Sequence, residues 1–93
     1  MYGIVLSSHA KRSLKKYRQS GRFPVKKYDE AIEHLRKGEP LPEHFADHAL
    51  HGKLAPFREF HVAANVLVQY ERDNELSVIT IMKVGTHDEL FGR

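Results

Sequence analysis

Phe57-Arg58-Glu59-Phe60-His61-Val62, Asn65-Val66-Leu67-Val68-Gln69-Tyr70-Glu71 and Leu76-Ser77-Val78-Ile79-Thr80-Ile81-Met82-Lys83-Val84 follow one another closely in the chain. All three runs are rich in β-branched and aromatic residues, and the hydrophobic period changes to two from about Leu54 onward. Such runs predict three consecutive strands of an antiparallel meander. Arg72-Asp73-Asn74-Glu75 supplies the turn between the last two, since Asp and Asn accept turn backbones. Ala63-Ala64 serves as the other turn, although neither residue is a strong turn former.

Working back toward the N-terminus, Glu39-Pro40-Leu41-Pro42-Glu43 reads as a crossing loop, because its two prolines lack backbone donors and have a fixed φ. Before it lie two helical patterns. Ser7 or Ser8 can cap the first, with Ala10, Leu14 and Tyr17 as its apolar stripe and Gly21 as its stop. Pro24 suits the first turn of the second, with Val25, Tyr28, Ile32 and Leu35 as the stripe and Gly38 as the stop. Tyr2 to Leu6 reads as a short strand. The whole is one α+β domain over residues 1–93: an N-terminal strand, a helical hairpin, then the meander, with the helices packed on one sheet face.

Composition bounds the rest. The 93 residues are 41% hydrophobic and 29% charged, which fits one globular domain with a modest core. The absence of cysteine excludes disulfides and thiolate metal sites. The apolar start is too short for a signal peptide, and no run approaches membrane-spanning length, so a cytoplasmic location is expected. Net charge is only +3, yet Lys11, Arg12, Lys15, Lys16, Arg18, Arg22, Lys26, Lys27, Arg36 and Lys37 crowd the helical segment. That asymmetry favours phosphates or an acidic protein partner.

Three histidines stand apart from the rest. His48 lies in Asp47-His48-Ala49-Leu50-His51-Gly52, His61 on the first meander strand, and His87 in Gly85-Thr86-His87-Asp88-Glu89-Leu90-Phe91-Gly92. Imidazole both takes and gives a proton near neutral pH, so a fold that gathers these three has the means for acid–base chemistry. Phe57, Glu59 and His61 share one side of their strand, and Arg58, Phe60 and Val62 the other. The side left open by the helices is the expected site. Taken singly, His48 beside Asp47 is an ordinary paired surface histidine, and Phe91 a core anchor. His9, His34, His44 and His51 lie on helices or loops as solvated residues. A metal site made of His44, His48 and His51 is disfavoured, because that stretch is a glycine-containing loop without a carboxylate ligand pattern.

Asp47-His48-x-Leu50-x-Gly52, Arg58-x-x-His61-Val62, Tyr70 and Gly85-Thr86-His87-x-x-Leu90-Phe91-Gly92, in that order, resemble the YafQ branch of the RelE/ParE toxin superfamily. The resemblance covers nearly the whole chain. It implies an endoribonuclease toxin, a messenger-RNA interferase acting on the translating ribosome, with no metal and no cofactor. It also implies a heteromeric complex with a DNA-binding, DinJ/RelB-like antitoxin. His48, His61 and His87 then fall on catalytic positions, and Phe91 contacts substrate or supports the site. RNA brings its own nucleophile, the 2′-hydroxyl, so the protein need only move protons and stabilise charge on phosphorus. His48 is the expected general base, His87 the general acid and His61 the group that positions phosphate, with His48 and His61 interchangeable. Arg58 and Lys83 are candidates to pair with phosphate, or with Glu59 or other carboxylates. Asn65 stands where the family usually has aspartate; it can hydrogen-bond to RNA but cannot act as a base. The rival functions are a ParE-like gyrase poison and a plain nucleic-acid-binding module on the same fold.

Overall fold

The computed structural model describes residues 1–91. Five strands form one sheet in the order β1-β5-β4-β3-β2: β1 (Gly3–Leu6), β2 (His48–Ala49), β3 (Phe57–Ala63), β4 (Val66–Asp73) and β5 (Val78–Gly85). β1 pairs in parallel with β5, and the other neighbours are antiparallel. Helices α1 (Ser8–Ser20) and α2 (Val25–Lys37) connect β1 to the rest, and α3 (His87–Phe91) follows β5.

The helix limits follow from local chemistry. Ser7 is the N-cap of α1: its hydroxyl accepts from the Ala10 amide at 3.0 Å and donates to the Met82 carbonyl at 2.6 Å. One side chain thus starts the helix and ties it to β5. Gly21 and Gly38 close α1 and α2 at φ 73° and 75°, in the left-handed region that glycine enters without steric cost. Pro24 sits at the N-cap of α2, one place before the first helical residue.

Strand register decides the two faces. Arg58 lies opposite Tyr70 and Phe60 opposite Val68, while Glu59 faces Gln69 and His61 faces Leu67. A register shift between Gln69 and Tyr70 then sets Val68 against Val84, Gln69 against Lys83 and Leu67 against Gly85. Phe60, Val62, Val68, Tyr70, Ile79, Ile81 and Val84 form a single core with Ala10 and Leu14 of α1, Tyr28, Ala31 and Leu35 of α2, and Phe45. Burying each large apolar side chain contributes roughly 1.5–3 kcal/mol. Both long helices therefore cover one face, as expected. The opposite face carries Glu59, His61, Gln69 and Lys83.

Several boundaries differ from the sequence reading. The last hairpin turns at residues 74–77, not 72–75, because β4 stays paired through Asp73. Ser77 takes φ 54°, and Leu76 remains 73% exposed, so β5 starts at Val78. The other turn is Ala64-Asn65, which moves Asn65 off its predicted strand. Between Asp47 and Ala49, where a loop is predicted, β2 pairs His48 with Glu59 and Ala49 with Arg58. In α2, Ala31 is fully buried while Val25 is 36% exposed, so the stripe is shifted from the predicted one.

Candidate active site

Two cross-strand rows on the uncovered face make up the site. The first runs His48–Glu59–Gln69–Lys83 across β2, β3, β4 and β5. The second runs His61–Leu67–Gly85, and His87 opens α3 two residues beyond Gly85. Same-face neighbours along a strand lie about 7 Å apart, and adjacent strands about 5 Å. The register thus brings His61 next to the first row and His87 to the same end of the sheet.

At the centre the His48 and His61 rings lie with centroids 6.3 Å apart. His48 Nδ1 is 2.8 Å from the Ala46 carbonyl, which can only accept, so the hydrogen is assigned to Nδ1. Its other nitrogen, Nε2, faces Glu59 Oε1 at 3.2 Å. The Glu59 side chain is only 6% exposed against 47% for His48. The second oxygen of Glu59 is buried without a hydrogen-bond partner. With its hydrogen on Nδ1, a neutral His48 turns the free lone pair of Nε2 toward the Glu59 carboxylate, and the two acceptors together can take up one proton shared between them.

β2 is held in place from the other side of the sheet. Asp47 accepts from Arg58 Nε at 3.2 Å, from the second guanidinium nitrogen at 3.3 Å and from the Tyr70 hydroxyl at 2.8 Å. Burial, and then the Asp47 hydrogen bond, push the Tyr70 hydroxyl up to about 12, so it remains a donor. The same carboxylate raises Arg58 above its usual range. Arg58 is therefore a fastener beneath His48. Asp47 pairs with Arg58 and Tyr70 rather than with its chain neighbour His48.

His87 is exposed and stacks on Phe91, one helical turn on, at 4.7 Å between ring centroids. A capping box orients α3: the Glu89 amide donates to Thr86 Oγ1 at 3.1 Å, and the Thr86 amide donates to Glu89 Oε1 at 2.7 Å. The Tyr17 hydroxyl of α1 donates to that same Glu89 oxygen at 2.7 Å. Gly85 leaves room for this network, because a Cβ there would meet Glu89 Oε1 at 2.7 Å and push that carboxylate aside. These donors, led by the Thr86 amide, hold the Glu89 carboxyl below its ordinary range.

Of the predicted site residues, the fold unites His48 and His61, sets Lys83 on the same face, and brings His87 with Phe91 to one end of that face. Asn65 is exposed at the tip of the β3–β4 hairpin, and Gly92 lies outside the described residues. Glu59 is the residue that sequence reasoning missed as a participant. Its signal was a carboxylate two residues before His61 on the same strand face. His48, Glu59 and His61 also form a potential metal-ligand set, with one ligand atom from each lying within 4.8 Å of the others.

Helices on one face of the sheet and a histidine–carboxylate cluster on the other define a small α+β protein with one candidate site. Residues 2–92 match the family model described as "Bacterial toxin of type II toxin-antitoxin system, YafQ", and the chain belongs to that family. Among solved structures, a copper-bound mutant toxin from Helicobacter pylori is 35% identical, with TM-score 0.90 over 98% of this chain and 100% of that one. A metal-bound toxin from the same organism is 30% identical, with the same TM-score and coverage. YafQ in the Escherichia coli DinJ–YafQ complex has the same fold, at 24% identity and TM-score 0.83 over 99% of this chain and 100% of that one. No curated protein matches the chain by sequence.

Proposed function

We propose that this toxin is an endoribonuclease that cuts messenger RNA on the translating ribosome in the cytoplasm, by metal-independent attack of the 2′-hydroxyl. The observation that carries this reading is the pairing of His48 with the buried Glu59, 3.2 Å away, beside His61 on the uncovered sheet face. The 2′-oxygen bonds to phosphorus, and its proton passes to the His48–Glu59 pair. The bond from phosphorus to the 5′-oxygen breaks, and His87 protonates that oxygen. His61, with Lys83 on the same face, offsets the negative charge on the phosphoryl oxygens. Phe91 braces the His87 ring. Asn65 contacts RNA from the hairpin tip. The cognate partner is an antitoxin of the DinJ/RelB kind, bound in a heteromeric complex, as Escherichia coli YafQ is in its solved complex with DinJ.

A second reading concerns metal. Two imidazoles and a carboxylate suit zinc or copper, and the unpartnered Glu59 oxygen fits such a ligand set. Two relatives are described as metal-bound or copper-bound toxins. A divalent ion held by His48, Glu59 and His61 would supply positive charge for a phosphoryl group. It would also occupy the nitrogens that acid–base catalysis needs. Cleavage that survives chelation and declines on adding copper supports the metal-free mechanism; cleavage abolished by chelation supports the metal.

The decisive test is induced expression of the wild type, His48→Ala and His87→Ala, with messenger-RNA ends mapped in the same cells. The expected result is growth arrest with new cuts inside coding regions, both lost in the variants. Arrest that persists in both variants would instead favour a binding poison on the same fold, such as a ParE-like gyrase inhibitor.

A further inference from the structure

A cavity of about 280 Å³ opens beside the candidate active site, and the chemistry above leaves it unused. Its wall is shared with that site through His61, and Lys27 of α2, His44, Ala46, Val62, Ala63 and Ala64 complete it. We propose that this cavity holds the nucleotide adjoining the scissile phosphate, with the Lys27 ammonium on that nucleotide's own phosphate. The proposal rests on the RNA-cleaving reading and deepens it by giving the substrate a second point of attachment.

Four observations carry it. The volume, about 280 Å³, lies just below the usual span of ligand pockets, about 300–1,000 Å³, and so suits at most one nucleotide-sized unit rather than a peptide segment. No lining residue is acidic, so nothing in the wall repels a phosphate. Lys27 is exposed and belongs to none of the ion pairs found among the described residues, which leaves its charge available to a ligand. The wall is also preorganised. The His44 ring packs on Phe45 at 4.3 Å between centroids, and Phe45 is fully buried against Phe60.

The division of labour follows from these side chains. Ala46, Ala63 and Ala64 are small enough to admit a flat base. His44 presents ring nitrogens to a base or ribose edge, and Lys27 acts as a point charge toward phosphate. Because His61 belongs to both the cavity and the catalytic cluster, a nucleotide seated here brings its neighbouring phosphate over His48 and His61. Lys27 is then a binding residue and takes no part in the proton transfers.

The test uses the full chain and a fluorescein-labelled RNA oligonucleotide carrying 2′-O-methyl groups throughout, which blocks cleavage. Anisotropy titrations over a series of salt concentrations compare the wild type with Lys27→Ala, Lys27→Gln and Lys26→Ala; Lys26 is an exposed neighbour outside the cavity wall. Both Lys27 variants should bind several-fold more weakly, with the slope of log K against log salt smaller by about 0.7, the loss of one phosphate contact on a single strand. Lys26→Ala should stay near the wild type. Cleavage of unmodified RNA by Lys27→Ala should show a raised KM at a kcat near that of the wild type. Unchanged affinity and slope in both Lys27 variants, while the wild type binds and cuts RNA, would overturn the subsite alone. An equal change in Lys26→Ala would assign the effect to the diffuse basic face and overturn it too. A wild type that neither binds nor cuts RNA would remove the RNA-cleaving reading together with the subsite.

Discussion

Ala46 shows how closely the site is specified at the scale of single residues. It takes φ 51°, in the left-handed region that a residue with a Cβ enters at a cost of roughly 1–2 kcal/mol. Its carbonyl is the group that meets His48 Nδ1, and the next residue, Asp47, is locked by Arg58 and Tyr70. Local strain is thus accepted where the chain must turn His48 toward Glu59. Glu59→Gln tests the value of that arrangement. It keeps the size of the side chain and removes the charge that holds a proton against Nε2. Cleavage should drop by about 100-fold or more, the low end of a general acid–base contribution, while the chain still folds. An unchanged rate would reduce Glu59 to a packing role.

α3 is the element most dependent on its surroundings. At five residues it is far too short to be stable alone, and the Thr86–Glu89 capping box with the Tyr17 hydroxyl fixes its direction. Burial, then the Glu89 contact, push the Tyr17 hydroxyl up to about 12, so it stays a donor at any working pH. Glu89 sets the pH response. Its carboxyl is held below the ordinary 4.5, so the stability it adds is fully present above about pH 4.5 and is lost as pH falls through the lower folded value. Amide hydrogen exchange followed during acidification should show α3 loosening before the meander does. Glu89→Gln should loosen α3 already at neutral pH and flatten that acid dependence. If the variant keeps the wild-type protection and acid profile, the capping box does not hold His87 in place.

For the whole molecule, charge is the organising quantity. Lys11, Arg12, Lys15, Lys16, Arg18, Arg22, Lys26 and Lys27 are all exposed, and acidic residues within the two long helices are confined to α2. Such a face repels itself and attracts an acidic or anionic partner. An antitoxin that binds only the folded toxin should stabilise it by mass action, by about 2.7 kcal/mol at 100 times Kd, with a matching rise in Tm. If the contact is charge-driven, added salt should shrink that rise while changing the free toxin little. A Tm shift insensitive to salt would place the partner on an apolar surface instead.

The order of the main elements and the sheet face opposite the helices were legible in the sequence, because period, caps and prolines act over a few residues; the short β2 and α3 were not. Gly21, Gly38, Ser7 and the alternation along Phe57–Val62 each exert their effect within a turn or a strand. Pairing across the sheet was not legible in the same way. β2 consists of two residues whose strand character comes only from hydrogen bonding to β3. Glu59 meets His48 only because register sets it there, and Arg58 finds its carboxylate partner in Asp47, eleven residues away. The sequence by itself determined which side chains were available and which strand faces they occupied. Only the tertiary structure decided which of them meet, because contacts between distant residues depend on register and crossover, which no local pattern encodes.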